Sequence, residues 1–80
     1  MIIKPLNTES AATAAAITAA RVVRLVNTHA SDASVITIAN TAAASMTLLA
    51  QSSEVVEKDI GAAITVSGGT VVATPVAFTN

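Results

Sequence analysis

The chain contains no cysteine and only one aromatic residue, Phe78, among its 80 residues. Without cysteine it cannot form disulfides, bind zinc through thiolates, hold a thiolate-ligated iron–sulfur cluster or use a thiol nucleophile. The lack of aromatic residues argues against surfaces that stack nucleic-acid bases or sugar rings. These absences remove several classes of function before any motif is considered.

Charged residues are also scarce, at 11% of the chain against about 25% in an average soluble domain. Four basic and five acidic residues give a formal net charge of −1, so no electrostatic argument supports binding to nucleic acid or to anionic membranes. We therefore expect neither as a partner. A chain so apolar and so poor in charge is badly suited to remain an isolated monomer, which indicates surfaces covered by partners.

The apolar residues are abundant but small. They make up 52% of the chain, and most are Ala, Val and Ile, so each buried position contributes less than Leu or Phe would. The length indicates one domain, which buries only about 60% of the surface of its unfolded chain. Because such a core is marginal, we predict a homo-oligomer. If Phe78 is buried, replacing it with alanine is expected to cost about 3–5 kcal/mol.

No stretch predicts a transmembrane helix or a secretory signal. The longest weakly polar run, residues 11–20, is rich in alanine and too short for the roughly 20 strongly apolar residues that a spanning helix needs. Lys4 is followed by Pro5 and a polar segment rather than by an apolar run. The protein is therefore expected to act where it is made.

From residue 21 onward, short runs rich in β-branched residues alternate with turn residues. The alternation places Ile36 and Ile38 on one face of their run. Spacings near 10 residues predict an all-β fold, a small antiparallel β-sandwich or barrel of about six to seven strands. The runs are residues 21–26, 34–39, 45–50, 54–59, 62–66 and 70–79.

Two features of the last 15 residues predict local structure. Gly68-Gly69 is the strongest turn signal and predicts a tight hairpin, because glycine adopts positive φ readily. In the final run, Val72, Thr74, Val76 and Phe78 share one face. Pro75 lacks an N–H, which predicts that this strand is an edge strand or is bulged there.

The first 20 residues read as an Ala/Thr-rich N-terminal arm or first strand, with the sandwich domain in residues 21–80. Alanine favours a helix in residues 8–20, with Asn7 or Thr8 as its cap. Ile17, Thr18 and Val22 favour extended structure instead. We favour the extended arm, and the helix stays open as the alternative.

The sequence offers no catalytic constellation, so we expect no enzyme, no cofactor and no metal site. His29 is the only histidine, and with Asp32 as its only nearby acidic neighbour it reads as a polar turn residue. Glu57 and Asp59 are expected on one strand face, but two carboxylates fall short of the about six oxygen ligands of a divalent-cation site. Gly68-Gly69 lacks the surrounding pattern of a phosphate loop.

The few charged residues are better explained as interface contacts. Arg21 and Arg24 are expected on opposite faces of a strand, where they either hold a partner's carboxylates or guard a strand edge. Glu54 and Glu57 are candidates to pair with those arginines in a neighbouring subunit. The candidate interface residues are Arg21, Arg24, Glu54, Glu57, Lys58 and Asp59.

The order of these runs resembles small virion structural proteins of tailed bacteriophages, cyanophages included. The resemblance covers residues 21–27, 35–38, 46–49, 55–58 and 70–78 and includes Glu57-Lys58 and Thr74-Pro75-Val76. It implies a small β-sandwich in the virion, assembled in the host cytoplasm, that decorates or cements the capsid lattice. The implied partners are further copies of the chain, with a trimer favoured, and the major capsid protein or other virion proteins.

Two other functions stay open. A neck or tail adaptor of the virion belongs to the same class as a decoration subunit, and its symmetry would be that of a ring rather than of a lattice. A cellular surface or fibre binding module belongs to a different class, and a signal sequence in the encoding gene would favour it.

Overall fold

In the computed structural model, which describes residues 2–79, the chain forms eight strands and one short helix. The all-β fold predicted from the sequence is confirmed, with slightly more strands among the described residues than the six or seven expected. The elements are β1 (Ile2–Pro5), β2 (Ser10–Ala11), α1 (Ala15–Thr18), β3 (Val22–Asn27), β4 (Ser34–Ile38), β5 (Ala44–Leu48), β6 (Ser53–Glu57), β7 (Ile64–Ser67) and β8 (Val71–Thr79).

The strands form two antiparallel sheets, a large one and a small one. In the large sheet, β8 lies between β3 on one side and the successive strands β1 and β2 on the other, and β6 lies beyond β3. In the small sheet, β4 lies between β5 and β7. The chain crosses between the sheets after β3, β5, β6 and β7, so among the strands described the one hairpin of consecutive strands is β4–β5.

The core lies between the two sheets, where every second residue of the central strands points inward. Val23 and Leu25 from β3 face Ile36 and Ile38 from β4, and each of these four is buried. Each such side chain contributes about 1.5–3 kcal/mol when fully buried. Further buried contributors are Ala12, Ile17, Leu48, Ala62, Ile64, Val71 and Ala73.

The only aromatic side chain does not join this core. Phe78 is 46% exposed, and it lies on the opposite face of β8 from Ala73. The loss of about 3–5 kcal/mol expected for a buried phenylalanine therefore does not apply to it. The core is built from aliphatic side chains alone.

The prediction of a tight hairpin at Gly68-Gly69 is wrong. β7 pairs with β4 in the small sheet, while β8 pairs with β3 in the large one, so the turn carries the chain between sheets. Both glycines do adopt positive φ, at 78° and 62°. Turn chemistry specified the backbone conformation correctly, but positive φ does not determine whether the flanking strands pair with each other.

The strand that contains Pro75 is a central strand and not an edge strand. Val23 lies opposite Pro75 on the β3 side, and Leu6 donates its backbone N–H to the Pro75 carbonyl on the other side. On that second side the pairing is interrupted, because β1 ends at Pro5 opposite Val76 and β2 begins at Ser10 opposite Ala73. The missing N–H therefore lies at a break between β1 and β2, which is the irregularity that a proline requires inside a sheet.

Residues 2–20 run along the side of β8 that faces away from β3. β1 and β2 pair with it, and a helix of four residues, Ala15–Thr18, follows. Neither Asn7 nor Thr8 caps this helix, whose N-cap is Ala14 without a side-chain hydrogen bond. Ile17 is completely buried, so this one side chain fixes the alanine-rich segment over the end of the core.

Candidate functional site

Four of the six candidate interface residues meet at one shallow cavity. Arg21, Glu57, Lys58 and Asp59 line it together with Asn40 and Ile60, and its volume is about 350 Å³. The cavity lies where β3 begins and β6 ends. Arg24 and Glu54 lie elsewhere, so the structure divides the predicted set into a cluster and two separate residues.

Within this cluster, Arg21 and Glu57 form an ion pair inside the chain. Arg21 Nε lies 3.7 Å from Glu57 Oε2, and both side chains are about two-thirds exposed, at 68% and 72%. Exposed pairs of this kind contribute little to stability, because water screens them and the long side chains lose freedom. Both groups stay accessible at the rim of the cavity.

Lys58 is turned into the protein. Its side chain is only 3% exposed, and Nζ donates to the carbonyl oxygens of Thr18 at 2.8 Å and Asp59 at 3.2 Å. Its backbone N–H also donates to the Arg21 carbonyl. The amine thus joins the end of α1 to the segment after β6, and it faces its own chain rather than a partner.

Burial lowers the pKa of the Lys58 amine below its usual 10.5, while the negative charge of Asp59 opposes the shift. At pH values between this lowered pKa and 10.5, the unfolded chain binds more protons than the folded one. The free energy of unfolding therefore rises with pH through that window. Below the window the folded protein carries the full penalty of a buried charge.

We expect Lys58→Met to remove this pH dependence. The stability of wild type relative to the variant should increase as pH rises toward 10.5, as measured by urea unfolding at a series of pH values. The chain has neither cysteine nor tyrosine to titrate in the same range. Lys4→Met is the matched control, since Lys4 is exposed, and it should keep the wild-type slope. An unchanged slope in Lys58→Met contradicts the prediction.

The carboxylates do not converge on a cation. Asp59 accepts a hydrogen bond from the Thr41 backbone N–H at 2.9 Å, and its own N–H donates to Asn40 Oδ1 at 2.8 Å. Asp59 thereby holds the turn that begins at Asn40. In the part of the chain that the structure describes, no group of three or more His, Cys, Asp or Glu residues is placed to hold a metal ion.

His29 belongs to the turn after β3. Its Nδ1 accepts the backbone N–H groups of Ser31 and Asp32, at 3.1 and 2.9 Å, and its Nε2 lies 3.6 Å from Asp32 Oδ2. The ring therefore shapes the polar turn in which the sequence placed it.

Asn27 is the buried polar residue that sequence reasoning missed. It is completely buried and makes four hydrogen bonds to the main chain. Nδ2 donates to the Asp32 and Leu48 carbonyls, and Oδ1 accepts from the N–H groups of His29 and Thr70. An asparagine at the end of a strand reads as an ordinary turn residue, so no local signal distinguishes this one.

Arg24 occupies the outer face of the large sheet, the face turned away from the core. It lies opposite Thr74 on β8 and Val55 on β6, and it borders a shallow cavity of about 310 Å³ with Ile3, Pro5 and Val76. Its side chain is half-buried, and within residues 2–79 it has no ion pair. A guanidinium can bind a carboxylate through two parallel hydrogen bonds.

Most of the rest of this outer face is apolar, and Ser53, Glu57 and Thr74 are its polar members. Around Arg24, register places valines from three strands together with Ile3 and Phe78 of the β1–β8 pair, which are 42% and 46% exposed. Aliphatic surface surrounding a single arginine is the composition of the centre of a protein interface. The valines are Val22, Val26, Val55, Val72 and Val76.

The outer face of the small sheet has a different chemistry. Rows of hydroxyl groups cross it, and all its side chains are exposed and uncharged. The residues of the small outer face are Val35, Thr37, Ser45, Thr47, Thr65 and Ser67.

Glu54, the remaining candidate residue, lies on edge strand β6 of the large sheet. It lies opposite Leu25 and is exposed.

No family model, curated protein or solved structure matches the chain. None of the helical segments in residues 2–79 has the length and apolar character needed to cross a membrane.

Proposed function

We propose that the protein is a structural subunit of a tailed-bacteriophage virion, a decoration or cement subunit that binds the major capsid protein and stabilises the head lattice. The observation that carries the proposal is the outer face of the large sheet, where Arg24, which has no ion pair within residues 2–79, lies among partly exposed apolar side chains. A surface of this kind favours permanent burial against another protein. The sequence resemblance to virion proteins is the reason for proposing that this other protein belongs to a virion.

The physical demands of a lattice agree with this role. A small subunit that repeats many times on a particle needs only weak individual contacts, because the contacts around each site act together. Flat sheet faces with few charges suit such contacts, and the two outer faces of this sandwich offer one apolar and one hydroxyl-rich surface. A subunit that covers the seams between larger proteins would use both.

The direct test is quantitative mass spectrometry of purified virions, reported as copies per particle. Copies on the order of hundreds support attachment to the head lattice, since a lattice repeats its sites many times. A count of about six or twelve contradicts the decoration role and assigns the protein to a neck or tail ring. Absence of the protein from the particle overturns the virion proposal altogether.

Arg24 is expected to anchor the attachment. Heads assembled without this protein should bind the purified wild type, and Arg24→Met should weaken that binding at least about tenfold, since truncating one partner of a buried charge pair costs about 2–5 kcal/mol. Methionine keeps the aliphatic stem and removes only the charge and its donors. Binding is measured by co-sedimentation with the heads.

Arg21→Met is the matched control for this experiment. It removes the same group from a side chain that is 68% exposed and already paired with Glu57, so it should change the affinity by less than about threefold. Equal losses of affinity in Arg24→Met and Arg21→Met would show that net charge, rather than the outer face of the large sheet, governs attachment.

A further inference from the structure

The cavity at Arg24 contains a second polar group, the hydroxyl of Thr74. Thr74 lies directly opposite Arg24 in the pairing of β3 with β8, so both side chains project to the outer face of the large sheet. Both line the cavity of about 310 Å³, whose other walls are the apolar side chains of Ile3, Pro5 and Val76. The cavity therefore holds one cation and one hydroxyl within apolar walls.

Neither polar group has a partner within residues 2–79. The Arg24 guanidinium and the Thr74 hydroxyl make no hydrogen bond there, and Arg24 makes no ion pair. Thr74 is nevertheless only 8% exposed, whereas buried polar groups in proteins are usually hydrogen-bonded. The two neighbouring groups can both donate hydrogen bonds, so a single acceptor between them would satisfy both.

The one carboxylate that register places on the described part of this face is already engaged. Glu57 lies opposite Val22 on β3, two residues along β6 from the position opposite Arg24. Its carboxylate pairs with Arg21. An acceptor for Arg24 other than water therefore comes from another molecule.

We propose that this cavity binds a carboxylate, that of a glutamate or aspartate side chain on the partner protein. Arg24 donates two parallel hydrogen bonds to the carboxylate oxygens, and Thr74 donates a third from its hydroxyl. The aliphatic part of the acidic side chain packs against Ile3 and Val76. That the carboxylate belongs to a virion protein rests on the proposed function, whereas the chemistry of the cavity does not.

The charge of the cavity selects a carboxylate over a phosphate. A phosphate group on a protein carries a charge of about −1.5 to −2 at pH 7, and the cavity offers one positive charge. A carboxylate carries a single negative charge, which one guanidinium neutralises. The apolar walls of the cavity supply no further side-chain donor, and an unbalanced charge in such surroundings is costly.

The position of the cavity favours a side chain over a chain terminus. Apolar residues of the outer face lie on both sides of Arg24 along the strands, and they are Val22 and Val26 on β3 and Val72 and Val76 on β8. A polypeptide that covers this face passes over Arg24 and continues in both directions, so it presents a side chain there. A terminal carboxylate at Arg24 would leave the apolar surface on one side uncovered.

Short blocked peptides test the chemistry of the cavity without any virion. A peptide with a glutamate between valines, and the same peptide with glutamine instead, are titrated into isotope-labelled protein and followed by NMR. The glutamate peptide should shift the amide signals of Arg24 and Thr74. The glutamine peptide should bind at least about tenfold more weakly, because it lacks the charge that strengthens both sets of hydrogen bonds. Acetate should compete with the glutamate peptide better than inorganic phosphate does.

Variants at the two donors separate their roles. Thr74→Val removes the hydroxyl at nearly constant shape and should weaken binding of the glutamate peptide about tenfold, whereas Thr74→Ser keeps the hydroxyl and should bind like wild type. Arg24→Lys keeps the charge but loses the planar fork, and should also weaken binding at least about tenfold. Thr65→Val is the matched control, because Thr65 is an exposed threonine of the small sheet, and it should leave the affinity unchanged. Circular dichroism confirms that each variant is folded.

The outcomes distinguish this proposal from the proposed function. No binding of the glutamate peptide, equal binding of the two peptides, better competition by phosphate, or equal affinities of Thr74→Val and Thr65→Val would overturn the carboxylate site. A protein that is absent from virions but prefers the glutamate peptide keeps the carboxylate site and loses the virion role. A protein that is present on the head but binds both peptides equally keeps the virion role and loses the carboxylate site.

Discussion

Asn27→Ala is expected to lower the free energy of unfolding by at least about 3 kcal/mol, because each buried polar group left without a partner costs about 1–3 kcal/mol. The substitution removes four hydrogen bonds at once, with distances from 2.9 to 3.3 Å. A domain of this length has a total stability of only about 4–12 kcal/mol. The variant should therefore lose at least about a quarter of the total stability.

The effect is large because Asn27 connects both sheets. It ends β3 of the large sheet, yet its amide binds the carbonyl of Leu48 in β5 of the small sheet and the N–H of Thr70 just before β8. Its loss would release three loops together with the strand ends that they join.

Urea unfolding monitored by circular dichroism measures this prediction, with Asn7→Ala as the control. Asn7 is exposed and makes one local bond, from the Thr8 N–H, so its replacement should change stability by no more than about 0.5 kcal/mol. Similar midpoints for the two variants would mean that the buried amide network does not stabilise the junction between the sheets.

Gly69→Ala is expected to destabilise the fold by about 2–5 kcal/mol, the sum of left-handed backbone strain and overpacking. Gly69 has a φ of 62°. A Cβ atom there would overlap Ser34 Oγ and approach both amide atoms of Asn27 to 3.0 Å. Because Ser34 and Asn27 are completely buried, neither has space to withdraw.

The variant Gly61→Ala distinguishes the two causes of the destabilisation expected for Gly69→Ala. Its φ is 87°, but a Cβ atom would meet no heavy atom within 4 Å, so Gly61→Ala should show the backbone strain alone, about 1–2 kcal/mol. In the double variant Ser34→Ala, Gly69→Ala, the overlap with Oγ is gone, and the combined loss should be smaller than the sum of the single losses. Thermal unfolding of wild type, Gly61→Ala, Gly69→Ala, Ser34→Ala and the double variant tests this, and equal losses of stability in Gly61→Ala and Gly69→Ala would contradict it.

The faces of the strands were predictable from the sequence, but their partners were not. Alternation placed Ile36 and Ile38 together because a strand exposes every second residue to one side. The same alternation fits any pairing of strands, so it did not show that the segments on either side of Gly68-Gly69 belong to different sheets. Likewise, the alanine run favoured an extended arm but left the helix open, since the burial of Ile17 and the pairing with β8 decide its structure.

The candidate site shows the same limit of sequence reasoning. Composition directed attention to the few charged residues, yet residue type alone does not show which of them face solvent. Lys58 is buried by the segments that contain Thr18 and Asp59, and Arg24 lies among valines from three strands. Both environments arise from strands far apart in sequence, so no local pattern contains them.

The position of β8 has a consequence for how the protein is made. Ile2 lies opposite Thr79, and β2 and β3 also pair with β8, so three early strands complete their pairing only once β8 has been synthesised. Until then, one side of β3 has no partner, and the apolar side chains of the large sheet are open to misassociation. Contacts between such distant segments also form slowly. The pairings that β8 makes with β1, β2 and β3 therefore form only after β8 has been synthesised, whereas β3 and β6 can pair before.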